Sequence, residues 1–434
     1  MTKVLLVGSG GREHALAWKL ARESPGIEIV AAPGNPGMAE LARCVPVAPT
    51  DVERLVALAE HERPDFTIVG PEAPLALGVV DRFVERGLPI FGPTKRAAEI
   101  ETSKAFAKKL MIDAGVPTAA AARHTEPGAA KRAAREFGAP VVVKASGLAA
   151  GKGVIVCQTL DEADRAIDFM LKDEGFGAAG AEILVEEFME GEELSIFGIT
   201  DGSDVVVLPA AQDHKRLLEG DEGPNTGGMG AFVADLEEWP EAARAWATVA
   251  DSIMRPTLRA LRDGGRPFRG LLYAGLMLTR SGPKVVEFNC RFGDPETQAI
   301  LPAVTFRPGL LELMHAVAVG DRLPRDIGAT VEGGAVTTVL ASRGYPDAPT
   351  TGDPITLPQI SEPGVHVFHA GTTRDGAGTL LTAGGRVLAV TAVADSFDEA
   401  RLLSRRYAEQ IDFAGKQFRR DIGWREVARR ARAT

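Results

Sequence analysis

The chain has 434 residues, of which 45% are hydrophobic and 25% are charged. At about 150 residues per domain this length predicts roughly three domains, and the composition excludes a disordered chain, a collagen and a coiled coil. The formal net charge of −10 argues against a general nucleic-acid-binding protein, which needs a basic surface. Small anionic substrates remain possible, because a few well-placed cations can create a positive pocket.

The sequence contains no apolar run long enough to cross a bilayer, and the apolar stretch in the N-terminal MTKVLLVG is too short for a signal peptide. We therefore expect a cytoplasmic protein with no membrane partner. Cys44, Cys157 and Cys290 lie far apart, which excludes a disulfide scaffold and a zinc ribbon. They are interpreted as small buried side chains.

The first hundred residues alternate short apolar runs with segments of helical periodicity. This alternation predicts a doubly wound parallel sheet. The predicted strands are residues 4–7, 28–31, 66–69 and 89–91, and the predicted helices are residues 14–22 and 52–61.

The rest of the chain predicts mixed α+β structure, beginning with a lysine-bearing helix over residues 97–114. One later helix begins at the capping box formed by Thr159 and Glu162. From about residue 330 the sequence is β-rich and closes with a helix begun by Ser396 and Glu399. The further strands are predicted at residues 141–144, 154–157, 183–187, 194–199, 205–208, 271–278 and 284–289.

A glycine-rich turn follows the first strand, with Gly8, Gly10 and Gly11 in the run VLLVGSGGREH. Backbone N–H groups at a strand-to-helix turn favour a phosphate. The third glycine of a dinucleotide fingerprint is replaced by Glu13, so a phosphate-bearing sugar fits better than a nicotinamide cofactor, with Arg12 as a possible partner. A tight turn without a ligand is the alternative.

Two further loops follow predicted strands at the same edge of the sheet. They carry Asn35, in Gly-Asn-Pro-Gly, and Glu72, in Gly-Pro-Glu-Ala-Pro-Leu. Ligands of open α/β sheets bind beyond the carboxyl ends of the strands, so both side chains could reach sugar hydroxyls. Each loop taken singly is more typical of an ordinary turn.

The run VVVKASGLAAGKGV places a glycine loop, with Gly147, Gly151 and Gly153, between two predicted strands. It is not a Walker A loop, because the glycine spacing differs and a strand follows. The pattern indicates a hairpin flap whose amides could cover phosphates, with Lys144 neutralising their charge. A flexible hairpin with solvated lysines is the alternative.

An acidic region follows the strand predicted at residues 183–187 and includes Glu192 and Glu193. A strand end beside a cleft can offer backbone groups to a purine, and a nearby carboxylate can hold ribose hydroxyls. Without further support, an acidic loop is the simpler interpretation.

The run VVEFNCRFGDPE carries the strongest signal for chemistry. Period-two alternation places Glu287, Asn289 and Arg291 on one face and the apolar side chains on the other. Carboxylate and amide oxygens two residues apart suit magnesium, which keeps phosphates and waters as its other ligands. An ion pair between Glu287 and Arg291 is the structural alternative.

The segments QDHKR and GPNTGGMGA combine a charged cluster, with Asp213 and Lys215, with a long glycine loop. Such a loop suits backbone contact with a small substrate. His214 by itself is more typical of a structural histidine than of a catalytic base.

Taken together, VGSGGREHALA, VGPEAPL, KASGLAAGKGV, QDHKR, GPNTGGMGA and EFNCRFGDPETQ resemble the phosphoribosylamine-glycine ligase family of ATP-grasp enzymes along essentially the whole chain. In that family ATP phosphorylates glycine, and 5-phosphoribosylamine attacks the acyl phosphate to give glycinamide ribonucleotide, ADP and phosphate. The resemblance implies an N-terminal α/β substrate domain over 1–101, an ATP-grasp domain over 102–325 with a mobile lid at 120–190, and a β-rich domain over 326–434.

The resemblance also implies site roles, a Mg²⁺ or Mn²⁺ cofactor and a monomer that acts on small molecules only. Metal would bind Glu287 and Asn289, and glycine and the acyl phosphate would lie among Asp213, Lys215, Arg291 and Asp294. ATP would contact Lys104, Lys144, Gly147, Gly151, Lys152, Gly153, Glu186, Glu187, Phe188 and Glu193. Phosphoribosylamine would contact Gly10, Gly11, Arg12, Asn35 and Glu72. The segment LLEGDE after Arg216 could not be matched residue by residue.

Three other functions remain open at this point. A nicotinamide-dependent oxidoreductase would use the N-terminal glycines, but Glu13 and the polar face around Glu287 count against it. A related carboxylase would keep the ATP-grasp fold and accept bicarbonate. A nucleotide sensor would bind ATP without turnover, although it would not need Glu287, Asn289, Lys144 and the flap together.

Overall fold

The computed structural model describes residues 2–149, 153–172, 175–331 and 333–433. Its N-terminal region is a parallel sheet in the order β3-β2-β1-β4-β5. The strands are β1 (Lys3–Gly8), β2 (Glu28–Pro33), β3 (Arg43–Cys44), β4 (Phe66–Val69) and β5 (Ile90–Phe91). The helices are α1 (Gly11–Glu23), α2 (Val52–Glu62), α3 (Glu72–Leu77), α4 (Val79–Glu85) and α5 (Glu99–Thr102).

Strand β1 explains why this sheet is buried on both faces. Leu5 and Val7 belong to one hydrophobic core, whereas Val4 and Leu6 belong to another on the opposite face. Alternate residues of a strand point to opposite faces, so a continuous apolar run requires a cover on each side. The predicted parallel sheet is confirmed.

Residues 104–187 contain a smaller antiparallel sheet in the order β6-β9-β7-β8. Its strands are β6 (Ala121–His124), β7 (Val141–Ala145), β8 (Val154–Cys157) and β9 (Ile183–Glu187), and the helices of this region are α6 (Lys104–Asp113), α7 (Pro127–Phe137) and α8 (Leu160–Leu171). Strands β7 and β8 form the predicted hairpin, and α7 and α8 cover one face with a core of their own. The Thr159 hydroxyl accepts from the Glu162 N–H and begins α8, as predicted.

A long antiparallel sheet joins the middle of the chain to its C-terminal part, in the order β17-β16-β10-β12-β15-β20-β24-β21 with β11 beside β10. The strands are β10 (Glu192–Thr200), β11 (Val205–Val207), β12 (Ala211–Asp213), β15 (Gly230–Val233), β16 (Gly270–Thr279), β17 (Gly282–Asn289), β20 (Gly334–Ala341), β21 (Val365–His369) and β24 (Arg386–Ala394). The predicted division between residues 325 and 326 therefore crosses one continuous sheet.

The remaining elements connect or cover these sheets. The strands form three pairs: β13 (Arg216–Leu218) with β14 (Glu222–Asn225), β18 (Val304–Arg307) with β19 (Gly328–Val331), and β22 (Thr372–Arg374) with β23 (Leu380–Thr382). The helices are α9 (Pro240–Val249), α10 (Arg255–Asp263), α11 (Glu296–Ala303), α12 (Leu310–Val319), α13 (Phe397–Gln410) and α14 (Trp424–Ala433). None of the helices in the described ranges is both long and apolar enough to cross a membrane.

Two helical predictions need correction. The helix predicted over residues 97–114 is interrupted at Ser103, whose extended backbone ends α5 and whose hydroxyl accepts from the Phe106 N–H to begin α6. The helix begun by Ser396 is present as α13, but it does not close the chain, because α14 follows it. Helix α14 was not predicted because its buried Glu426 is paired with Arg429 and Arg430, so it lacks a simple apolar stripe.

Candidate active site

The loops at the carboxyl edge of the N-terminal sheet meet the segment that follows β17. The guanidinium of Arg12 donates to the Phe292 carbonyl at 3.1 Å, and Glu72 forms an ion pair with Arg291 at 3.4 Å. Since β1, β2 and β4 are parallel, the loops after them share one edge, as predicted. The structure thus brings the predicted sugar-binding loops next to the predicted metal and glycine residues.

The glycine turn after β1 encloses the side chain of Glu13. Its carboxylate accepts from the Gly10 N–H at 2.6 Å and from the Arg12 guanidinium at 2.5 Å, and the side chain is almost fully buried. A Cβ on Gly70 would lie 2.0 Å from this carboxylate, so glycine is required there. Glu13, which stands where a dinucleotide fingerprint has its third glycine, therefore fills the inside of the turn with its own side chain.

Asn35 is completely engaged within the protein. Its amide donates to the carbonyls of Ser9 and His369, both at 2.8 Å, and its oxygen accepts from the N–H groups of Gly37 and Met38 at 3.0 and 2.9 Å. Asn35 thus joins the turn after β2 to the turn after β1 and to the end of β21. No hydrogen-bonding capacity of this side chain is left over for a ligand.

Arg291 is surrounded by acidic and polar partners. Besides the pair with Glu72, it forms an ion pair with Glu101 at 3.3 Å and donates to the Asn289 side-chain oxygen at 3.1 Å. Burial alone would lower the pKa of Arg291, but Glu101 and Glu72 raise it. Burial likewise would raise the pKa of Glu72, and Arg291 holds it below its ordinary value.

Glu287 is a carboxylate in the interior of the site, and no side chain that the structure describes is bonded to it. Among the described residues it has neither an ion pair nor a hydrogen bond, so the alternative pair with Arg291 is absent there. Burial would raise its pKa, but the charges of Lys215, Lys144 and Lys104 hold the pKa below the ordinary value. An ionised Glu287 beside the Asn289 amide presents the hard oxygen ligands that Mg²⁺ or Mn²⁺ accepts.

Within the described residues, His, Cys, Asp and Glu side chains do not cluster in threes at any point where a metal could be held. Glu287 and Asn289 therefore offer two protein oxygens, one from an acid and one from an amide. Such a small set of protein ligands is typical of Mg²⁺, which usually binds one or two carboxylates and fills its other coordination positions with waters and substrate phosphates.

Two predicted phosphate-binding lysines lie beside the flap. The ammonium of Lys104 donates to the Gly147 carbonyl at 3.1 Å, and its backbone N–H donates to the Ser146 carbonyl at 2.8 Å. Lys144 lies on β7 and forms an ion pair with Glu186 at 2.7 Å. The helix break at Ser103 allows Lys104 to contact the flap, because a new helix begins at Lys104.

The flap is described only in part. Gly147 and Gly153 lie within the described residues, and a Cβ on either would come within 2.7 Å of Ala179 or 2.6 Å of Ala149, respectively. Gly151 and Lys152, which the sequence analysis assigned to ATP, lie outside the described residues.

The acidic residues at the end of β9 and the start of β10 lie in different environments. Glu186 is buried between Lys144 and Lys108, and Glu187 accepts from the Ala120 N–H and from Lys284, both at 3.0 Å. Phe188 is 38% exposed, which leaves its ring available. Glu193 forms an ion pair with Lys215.

Asp213 ends β12, and Lys215 follows it two residues later, close to a buried hydrogen-bond network around Glu296. In that network, the Glu296 carboxylate accepts from Ser195 at 3.1 Å and from Tyr273 at 2.9 Å. Burial, with Glu296 and Glu193 nearby, raises the pKa of Asp213 to about 7. Burial would lower the pKa of Lys215, but Glu193 and Asp213 raise it, so Lys215 stays charged.

Asp294 is held by residues from two parts of the chain. Gln298 donates to its carboxylate at 2.8 Å, and Arg386 from β24 forms an ion pair with it at 3.3 Å. Arg386 also donates to the carbonyls of Asp294 and Gly227, so it links Asp294 to the glycine loop. Burial would raise the pKa of Asp294, and Arg386 holds it low.

The prediction that His214 is structural agrees with its surroundings. The side chain is buried, and its Nε2 accepts from the Gly423 N–H at 2.9 Å. Burial lowers the pKa of His214, so the ring stays neutral near pH 7.

The sequence analysis missed several residues that shape the site. Four of them, Glu13, Glu101, Lys108 and Arg386, contact a predicted site residue directly, whereas the fifth, Glu296, acts through its charge on the pKa of Asp213. Glu13 and Glu296 stood within motifs already singled out, VGSGGREHALA and EFNCRFGDPETQ, but neither was assigned a role in the site. The others are joined to the site by packing between distant segments, and the sequence carries no local signal for them.

Comparison with known proteins agrees with this architecture. Three family profiles of phosphoribosylglycinamide synthetase match: the N domain over residues 2–101, the ATP-grasp (A) domain over residues 102–297 and the C domain over residues 335–425. A protein of Xanthomonas axonopodis pv. citri named phosphoribosylamine--glycine ligase is 46% identical over 434 residues, 99% of both chains. One of the same name from Ralstonia nicotianae is 49% identical, over 98% of this chain and 100% of its own.

Solved structures give the same relationship. The crystal structure of phosphoribosylamine--glycine ligase from Thermotoga maritima is 34% identical, covers 97% of this chain and 100% of its own, and superposes with a TM-score of 0.83. A biotin carboxylase domain from Hydrogenobacter thermophilus is only 20% identical, over 96% of this chain and 91% of its own, with a TM-score of 0.73, which is a likeness of fold alone. The predicted three-part fold and the family resemblance are confirmed, and the chain belongs to the phosphoribosylglycinamide synthetase family.

Proposed function

We propose that this chain joins glycine to 5-phosphoribosylamine at the expense of ATP, giving glycinamide ribonucleotide, ADP and phosphate in purine biosynthesis. The full-length relatives that bear the ligase name support this activity. The single observation that carries it is the convergence of Lys104, Lys144 and Lys215 on an ionised, unpaired Glu287. That arrangement suits a polyphosphate and a cation next to a carboxylate substrate.

The proposed chemistry explains why the site is rich in charge and poor in nucleophiles. The carboxylate of glycine is a poor acceptor for an amine, and phosphorylation by ATP converts it to glycyl phosphate, whose phosphate then leaves. The protein needs chiefly to align the reactants and to neutralise charge as the phosphoryl group moves. Water must be excluded, because acyl phosphates hydrolyse.

We assign ATP to the cleft between the small sheet and the long sheet. Lys104 and Lys144 would neutralise phosphate charge, and the flap from Gly147 to Gly153, including Gly151 and Lys152, would cover it. The purine would lie along the strand end formed by Glu186, Glu187 and Phe188, with Glu193 on the ribose. Residues 120–190 would form the mobile lid, whose closure protects the intermediate.

Mg²⁺ or Mn²⁺ would bind Glu287 and Asn289, whose oxygens fit such an ion. When bound, the metal would offset the negative charge of the phosphates during transfer. The nearby lysines then keep Glu287 ionised and so ready to coordinate.

Glycine and the acyl phosphate would lie among Asp213, Lys215, Arg291 and Asp294. The fixed positive charges of Lys215 and Arg291 suit the carboxylate of glycine and later the acyl phosphate. Asp213, with a pKa of about 7, is suited to accept a proton from the attacking amine. Asp294 is the second candidate for that role, although Arg386 holds its pKa low.

Phosphoribosylamine would occupy the carboxyl edge of the N-terminal sheet. Glu72 is partly exposed there beside Arg291, and the turn with Gly10, Gly11 and Arg12 adjoins Asp294. For Asn35, whose side chain is fully engaged inside the protein, we propose a role in holding these turns together.

Release of ADP and phosphate, measured with glycine and phosphoribosylamine omitted one at a time, tests the proposal. We expect product only when both are present. ADP formation that requires bicarbonate and not glycine would favour the carboxylase alternative, and ATP binding without turnover would favour a nucleotide sensor. The monomeric state, the absence of a nucleic-acid partner and the cytoplasmic location stay predictions.

A further inference from the structure

The segment that could not be matched by sequence, LLEGDE, forms a small hairpin directly after Lys215. Strands β13 and β14 pair only with each other in the described part of the chain, with a tight turn at Glu219–Asp221 between them. Leu218 at the base of the turn is 50% exposed. A two-stranded hairpin has little stability of its own, so other contacts must fix it.

Those contacts come from residues 419–425, which we call the C-terminal segment. Arg419 is fully buried and donates to the Asp221 carboxylate at 2.8 Å and to the Arg216 carbonyl at 3.2 Å. Both oxygens of Asp421 accept from Arg419 at 2.7 Å, and one of them accepts from the Gly220 N–H at 2.8 Å. Arg419 and Asp421 pair with each other within the segment, and each makes its remaining bonds to the hairpin, which joins the two parts of the chain.

The same contacts reach both neighbours of Lys215 along the chain. Gly423 donates its N–H to the His214 ring at 2.9 Å, and Arg419 binds the carbonyl of Arg216. On the other side, Thr226 donates to the Lys215 carbonyl through its N–H at 2.7 Å and its hydroxyl at 2.8 Å. Thr226 thus holds the backbone of Lys215 directly, and the C-terminal segment holds the residues on either side of it.

Asp221 is the residue on which this arrangement depends. Its carboxylate accepts from Arg419, from the Trp424 indole at 3.2 Å and from Arg425. Its own backbone has a φ of 57°, in the left-handed region that aspartate tolerates better than most residues. Charge-assisted hydrogen bonds of this kind are stronger and more directional than neutral ones.

We infer that the C-terminal segment sets the position of Lys215 in the active site, with Arg419 and Asp221 as positioning residues for the glycine side of the reaction. The expected effect on glycine binding rests on the proposed function. The expected effect on the position of Lys215 does not. Residues more than 200 positions after Lys215 would then govern the binding of glycine, while the ATP side, formed by Lys104 and Lys144, stays unaffected.

Two variants test the inference, and a third serves as control. Asp221→Asn keeps the size of the side chain and removes its charge, and Arg419→Lys keeps the charge and removes the planar fork. The control, Asp235→Asn, makes the same change of charge outside the hairpin, at the 2.6 Å contact between Arg430 of α14 and Asp235.

Hydrogen exchange in the free protein is the first measurement. We expect Asp221→Asn and Arg419→Lys to speed exchange over residues 213–226 by about tenfold or more, equivalent to about 1.4 kcal/mol. Asp235→Asn should leave these amides unchanged. Unchanged exchange in folded variants would overturn the inference whatever reaction the protein catalyses.

Steady-state kinetics with full-length protein are the second measurement. We expect the KM for glycine to rise about tenfold, the KM for ATP to stay within about twofold, and Asp221→Glu to restore part of the loss. Equal increases in both constants would mean a general loss of structure and would overturn the positioning role. If the wild-type protein forms no glycine-dependent ADP, the proposed function fails, and exchange alone then decides whether the segment holds Lys215.

Discussion

Removal of the Lys108 ammonium is expected to loosen the small sheet of the ATP-binding cleft. Lys108 and Lys144 share Glu186, at 3.1 and 2.7 Å, and all three side chains are nearly inaccessible to solvent. The attraction between unit charges 3.1 Å apart is about 5 kcal/mol at an effective dielectric constant of about 20. Burial of the charges offsets part of this value.

The net loss of stability in Lys108→Met depends on the partners that Glu186 keeps. Breaking a buried ion pair costs about 3–5 kcal/mol, and the lower value applies because Glu186 keeps Lys144 as a partner. The variant also loses the bond from Lys108 to the Thr118 hydroxyl at 2.7 Å. We therefore expect the free energy of opening of strand β9, which carries Glu186, to fall by about 3 kcal/mol, which is a hundredfold or so in exchange rate.

Hydrogen exchange of the β9 amides, followed by mass spectrometry, measures this opening without assuming that a multidomain protein unfolds in one step. The neighbouring Lys109 provides the control, since it is exposed and pairs with Asp113 at 2.6 Å on the surface. Lys109→Met should change the free energy by less than about 1 kcal/mol. Equal exchange in the two variants would refute the reasoning that burial gives the Lys108 pair its strength.

Four further outcomes are expected. Glu287→Ala should lower turnover by two or more orders of magnitude with little change in the thermal midpoint, because its carboxylate contributes mainly to the transition state; a parallel loss of stability would make it a structural residue. Asp213→Asn should raise the thermal midpoint more at pH 8 than at pH 5. The pKa of Asp213 is raised to about 7 in the folded protein, so its ionisation destabilises the fold progressively from about pH 4 to 7; an equal effect at both pH values contradicts this. Glu13→Gln should impair the KM for phosphoribosylamine and spare that for ATP, because the carboxylate holds Gly10 and the adjoining arginine; unchanged kinetics would show that the turn is fixed without it. Arg386→Met should lower kcat by about tenfold or more, since it frees the glycine loop, and a normal kcat in a folded variant would remove Arg386 from the site.

The sequence predicted strands best where a short apolar run lies between turn residues. The bounds of β4, β8 and β9 agree with the predicted 66–69, 154–157 and 183–187, because continuous apolar runs between turn residues admit few alternatives. The break at Ser103 was missed, since Ser103 lacks the glutamate three residues later that marks a capping box. The Ser103 hydroxyl caps the new helix through the Phe106 N–H alone, which is a weaker signal in the sequence than a full capping box.

The candidate site was predictable where its residues are close in sequence. Glu287 and Asn289 lie on one face of β17, and Arg291, which follows the end of that strand, still contacts Asn289, so a period of two was enough to group them. Lys108 could not be found in this way, because its partner Glu186 comes from a strand far along the chain. Asn35 shows the opposite case, in which a polar residue in a promising loop has all its hydrogen bonds inside the protein.

A protein with a net charge of −10 can still bind polyanions, because five of the cations at its site are each held by an acidic partner. Each partner offsets the charge of its cation but also holds it in place, so the protein does not have to reorganise when an anionic substrate arrives. The pairs are Arg12 with Glu13, Lys144 with Glu186, Lys215 with Glu193, Arg291 with Glu72 and Arg386 with Asp294. Among the carboxylates that were predicted for the site and that the structure describes, Asp213 and Glu287 form no such pair, and of these two it is Glu287 whose pKa is held below its ordinary value. The proposed metal site rests on this arrangement: the surrounding lysines keep Glu287 ionised but are not bonded to it, so a cation arriving with the nucleotide would meet a carboxylate that is already charged and has no other partner in the described part of the chain.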